Sequence, residues 1–160
     1  MQTLHYSDEL PLVWSAPQQP RPQYERPVKR SQYAMVALDI FSGPPQWQLE
    51  ADERLADLMM LRRGWNGPQS GPVGIGMISY IRALLQSVMK RDTPLPAFVP
   101  AHGGSVQLEW HQSGLDIELM VFRPLDAELS VHFHDGREPI EEEPLSINFD
   151  LLSKVLSEIG

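Results

Sequence analysis

The chain has 160 residues, 42% of them hydrophobic and 21% charged, an ordinary globular composition that affords one domain with an appendage. It contains no cysteine, which excludes disulfides and thiolate metal sites and fits a reducing cytoplasm. Its net charge of −8 is uneven: residues 101–160 hold twelve acids against three bases, while residues 1–40 balance at four and four. A phosphate backbone would be repelled by that C-terminal part, which argues against direct nucleic-acid binding there.

The first 32 residues read as an arm. Pro11, Pro17, Pro20, Pro22 and Pro27 interrupt regular pairing, and the polar run 15–32 has Tyr24 as its only aromatic. Such a segment buries too little apolar surface to offset its ordering entropy, so the expectation is an irregular arm, flexible or ordered on binding. Leu10 to Trp14 form an apolar knot inside it. Leu12, Trp14 and Tyr24 are therefore the candidate anchors, either folding back on the domain or seating in a hydrophobic groove of a partner protein. No basic region followed by an apolar core opens the chain, and no apolar run approaches the roughly 18 residues of a membrane span. The expectation is a soluble, cytoplasmic protein that does not engage membranes.

A single domain is expected over residues 33–160. Ala34–Phe41 is apolar and β-branched before Gly43-Pro44-Pro45, and reads as a short strand. A helix is predicted from Leu49 to Arg63, with Leu55, Leu58 and Met59 inward, Asp52 and Glu53 in its first turn, Arg62 and Arg63 in its last, and Gly64 as its left-handed stop. A second helix is predicted from Pro72 to Lys90, its stripe made of Met77, Ile78, Ile81, Leu84, Leu85 and Val88. Thr93–Pro100, with its repeated prolines, reads as an extended linker.

From Ser105 to His134 the pattern changes period. Val106, Leu108 and Trp110 share one face of a strand; Leu115, Ile117, Leu119 and Val121 share the next; Leu129, Val131 and Phe133 share a third. Asp135-Gly136 signals a turn, REPIEEEP an acidic loop, and Phe149–Ile159 a closing helix. The fold class is α+β: an antiparallel meander of three to four strands with two to three helices packed on one face.

The remaining face of that sheet carries the candidate chemistry. Glu109, Glu118 and Glu128 alternate outward, as do His132 and His134, and His111 ends the first strand. The acidic residues suit a basic partner. Two imidazoles, His132 and His134, could instead hold Zn²⁺ or Fe²⁺ together with a carboxylate, with His111 a further candidate on that face, although the third ligand must be assumed. The reading favours solvated histidines and no metal or other cofactor. No Ser-His-Asp order or nucleophile elbow is present, and no enzyme is expected. Gly64-Trp65-Asn66-Gly67 places an aromatic between glycines in an interhelical turn. Trp65 either plugs the core or lines a pocket with Asn66 as its polar handle, the setting for a small-molecule sensor.

Two blocks, Gly64-Trp65-Asn66-Gly67 and Gly103-Gly104-Ser105-Val106-Gln107-Leu108-Glu109-Trp110, continued by Leu115-Asp116-Ile117-Glu118, resemble a group of small bacterial proteins of uncharacterised activity. The resemblance spans about residues 50–122. In that group the first block often continues with Tyr-Gly, where this chain has Pro68-Gln69. The resemblance implies no activity or site residues. It implies a context: an antitoxin-like or accessory subunit of a toxin–antitoxin, mobile-element or defence locus.

Overall fold

The strict alternation of Val106–Trp110 and Leu115–Val121 dictates a sheet wetted on one side only, and the fold is built on it. The structure, a computed structural model, describes residues 43–160. They form helices α1 (Gln46–Met59) and α2 (Ile75–Val88), strand β1 (Ala97–Pro100), a 3₁₀ turn (His102–Gly104), strands β2 (Val106–Gln112), β3 (Leu115–Arg123), β4 (Asp126–Phe133) and β5 (Ile140–Leu145), and helix α3 (Asp150–Leu156). The expected strand over 34–41 and the anchors Leu12, Trp14 and Tyr24 lie outside the described residues.

The five strands make one antiparallel sheet in the order β1-β2-β3-β4-β5. Its inward residues stack in register: Leu108 faces Leu119, which faces Leu129, and Trp110 faces Ile117, which faces Val131. All six are buried to 1% exposure or less. The β2–β3 hairpin closes through Ser113 and Gly114, both at positive φ (55° and 76°), the two-residue arrangement whose twist matches the flanking strands. The α+β class and the assignment of faces follow the sequence pattern.

Three elements correct it. The prolines of residues 93–100 read as a linker, yet Ala97–Pro100 is an edge strand paired with β2. An edge position tolerates proline because one side of the strand needs no ladder partner. Likewise the acidic loop contains β5, whose Ile140, Glu143, Pro144 and Leu145 pair with β4 across a register shift beside left-handed Glu142 (φ 49°). Charges, proline and a bulge are the usual marks of an edge strand that must not recruit another.

The third correction concerns α1, which starts at Gln46 and stops at Met59, before the two arginines. No acidic residue lies in its first turn and no basic residue in its last, so the expected macrodipole complement is not made. Met59 is 39% exposed and not inward, while Trp47 joins Ala51, Leu55 and Leu58 in the buried stripe. Gly64 is left-handed (φ 77°) but sits four residues past the cap residue Met60, inside the following loop. In α2 the whole predicted stripe is buried, and the helix begins three residues after Pro72, capped by Gly74. The terminal helix is shorter than expected, with Leu152, Val155 and Leu156 buried and Phe149 and Ile159 packed at the core margin. Among the described residues no helix is long and apolar enough to cross a membrane.

Candidate functional site

The outward residues of the sheet fall into three cross-strand rows. The first runs Val99, Gln107, Met120, Glu128; the second Ala97, Glu109, Glu118, Ser130; the third His111, Asp116, His132. No lysine or arginine occurs in these rows. The sheet thus brings together six residues singled out in the sequence: Glu109, Glu118, Glu128, His111, His132 and, just past the end of β4, His134.

Glu109 and Glu118 stand directly opposite each other, a pairing of like charges that costs stability in a hairpin. Gln107 answers it. Its Nε2 donates to Glu109 Oε1 at 2.8 Å and to Glu118 Oε2 at 3.1 Å, so one amide bridges two carboxylates on adjacent strands.

Asp116 organises the other end. Its Oδ1 lies 2.8 Å from His111 Nδ1 and its Oδ2 2.8 Å from His134 Nε2. One carboxylate therefore laces β2, β3 and the chain leaving β4. His111 Nε2 also approaches Glu109 Oε2 at 3.4 Å, and the rings of His132 and His134 are 5.5 Å apart. The hydrogen bond to Asp116, then that to Glu109, holds the His111 imidazole above its ordinary value. The bonds from His111 and His134 hold the Asp116 carboxyl below its own.

These two shifts bound a pH window. The raised His111 contributes stability in full below its unfolded value of 6.5 and loses it as pH rises through the folded value. The lowered Asp116 contributes above its unfolded 3.8 and loses this as pH falls through its folded value. The clamp is strongest between those limits. Replacement Asp116→Asn is expected to move the His111 titration midpoint downward, followed by NMR of the imidazole protons. Identical midpoints in the two proteins would reject the clamp.

His111 and His134 take separate oxygens of Asp116. Among the described residues no group of three or more histidines and carboxylates is placed to hold a metal ion. Beside the clamp, a notch of about 160 Å³ opens between β3, β4 and the start of β5, lined by Asp116, Glu118, Ser130, His132, Ile140 and Glu141. It adds Glu141, from a segment the sequence pattern assigns to a loop.

The second candidate region is the loop after α1. Asn66 N donates to Ser70 Oγ at 2.8 Å, Ser70 Oγ donates to the Gly67 carbonyl at 2.7 Å, and Gly64 N donates to the Ser70 carbonyl at 2.9 Å. The buried Ser70 is thus the hub of this turn. Trp65 is half-buried with its indole Nε1 buried and unpartnered, and the Asn66 residue is exposed. The adjacent cleft, about 380 Å³, is walled by Arg63, Pro68–Pro72, Gly103 and Gly104, and neither Trp65 nor Asn66 lines it.

No protein-family model, curated protein or solved structure matches the chain.

Gln107 and Asp116 are the functional candidates that sequence reasoning missed. A signal for Asp116 was present: reading Ser113-Gly114 as a two-residue turn sets Gln112 opposite Leu115, and so His111 opposite Asp116.

Proposed function

We propose that this chain is a non-catalytic protein-interaction module that docks a basic partner on the open carboxylate-bearing face of its sheet. One observation carries the reading: three cross-strand rows present Glu109, Glu118, Glu128 and Asp116 without a single lysine or arginine among them. A surface of one sign steers and selects a partner of the other, at a strength that falls with salt. The bridging by Gln107 and the clamp on Asp116 hold Glu109, Glu118 and Asp116 in place before binding, which reduces the entropy lost on association.

The finer reading is an antitoxin-like or accessory subunit of a toxin–antitoxin, mobile-element or defence locus. Its support is the resemblance carried by the Gly64–Gly67 and Gly103–Trp110 blocks. Leu12, Trp14 and Tyr24 supply the apolar part of the contact in this reading, within an arm lying outside the described residues.

The test is capture from the native cell with the full chain, with residues 1–32 deleted, and with the pair Glu109→Lys/Glu118→Lys. Reversing these two outward carboxylates, Glu118 exposed and Glu109 half-buried, is expected to weaken a basic partner by about tenfold or more and to leave folding intact. A captured protein indifferent to the double reversal and to salt, or no specific protein at all, would end the proposal.

A further inference from the structure

The cleft of about 380 Å³ lies between the loop after α1 and the turn before β2: Arg63 and Pro68–Pro72, which flank the Gly64–Gly67 block, form one wall, and Gly103-Gly104, which open the second block, form the other. Among the described residues, Arg63 is its only ionisable lining residue, and the exposed Arg63 side chain makes no ion pair with any of them. The opposite wall is Gly103-Gly104. His102 is in a 3₁₀ turn and Gly103 is left-handed (φ 70°, ψ 12°), with Gly104 also at positive φ (83°). Right-handed followed by left-handed backbone turns successive N–H groups toward one concave side, an arrangement that receives anions.

The turn is locked in that shape. Ser105 N and Ser105 Oγ both donate to the His102 carbonyl, at 3.3 and 2.7 Å, and Ala101 N donates to the Ser105 carbonyl at 2.9 Å. A Cβ added at Gly71, Gly103 or Gly104 would meet nothing within 4 Å. Packing therefore does not require glycine at any of the three. At Gly103 and Gly104 the backbone conformation does, and the space beside them is open to a ligand.

We infer that this cleft binds a phosphoryl group, with the Arg63 guanidinium on one side and the Gly103-Gly104 turn on the other. A phosphoryl dianion offers three acceptor oxygens, enough for a guanidinium fork and backbone amides together, whereas a carboxylate offers two. The cleft has room beyond the anion for a small carrier. The inference is independent of the docking face, since none of its residues belongs to the three rows.

The test titrates the ¹⁵N-labelled full chain with inorganic phosphate, adenosine monophosphate, acetate and chloride at matched ionic strength. Saturable shifts of the Gly103, Gly104 and Ser70 amides are expected with phosphate and the nucleotide only. Tighter binding of the nucleotide would assign a phosphorylated small molecule, and equal binding the free anion. Arg63→Gln, an exposed change that leaves the fold in place, should weaken binding about tenfold or more. Gly103→Ala should weaken it as well, but strains the backbone, so the arginine variant decides. Absence of saturable shifts, shifts elsewhere in the protein, acetate binding as tightly as phosphate, or an Arg63→Gln protein that binds like the wild type would overturn the inference.

Discussion

Trp110→Ala is expected to destabilise the protein by about 3–5 kcal/mol, the range for removing a large aromatic from a packed core. Trp110 is 1% exposed and sits between strands, opposite Ile117, which in turn faces Val131. Helices roof this face, so the void cannot collapse without moving several elements. Its Nε1 also donates to the Pro94 carbonyl at 2.9 Å, tying the segment before β1 to the sheet. For a domain of this size the loss corresponds to a fall of roughly 10–20 °C in Tm. Trp110→Phe keeps most of the apolar area and removes the donor, so about 1–2 kcal/mol is expected from the hydrogen bond and the smaller ring. Thermal unfolding of the two variants separates the terms. An unchanged Tm for the alanine variant would mean that the two faces of the sheet are wrongly assigned.

Trp47→Ala should cost nearly as much, about 3–4 kcal/mol, but with a different distribution. Trp47 is 8% exposed, and its indole Nε1 donates to the Lys90 carbonyl at 2.9 Å, just past the end of α2. It thereby pins the start of α1 to the far end of the neighbouring helix. Only Trp47, Ala51, Leu55 and Leu58 anchor α1 from its own sequence, so losing the largest frees the helix locally. Hydrogen exchange should accelerate across Gln46–Met59 and stay slow in β2, β3 and β4. Uniform acceleration over the whole domain would show that α1 is not a separable unit. Arg82 and Asp52 also link α1 and α2, at 2.7 Å, but this pair is solvent-exposed and contributes little beside the indole.

The contrast between these two tryptophans marks how legible the molecule was. Trp110 lies in a strand of strict alternation, and its burial follows from parity alone. Trp47 precedes the stripe from which the helix is read, next to Pro44-Pro45, and nothing local signals that its indole reaches a carbonyl 43 residues away. The candidate site divides in the same way. That Glu109, Glu118 and Glu128 share a face with His132 is a matter of counting by twos along each strand. That Gln107 bridges Glu109 to Glu118, and that Asp116 receives both His111 and His134, depends on which residue of one strand lies opposite which of the next.

Side-chain periodicity reports one element's burial, so the amphipathic strands β2, β3 and β4, the stripe of α2 and the greater part of those of α1 and α3 were written in the chain. Edge strands obey a different constraint. Ala97–Pro100 and Ile140–Leu145 are held by backbone pairing to a single neighbour, and their prolines and glutamates deter further pairing, which makes them look like loops. The cleft between Arg63 and Gly103-Gly104 has no local signature either, because its walls meet only once the helices have closed over the sheet. Alternation could thus establish the layers. Long-range register and packing chose the neighbours, since they join residues whose separation along the chain carries no periodic signal.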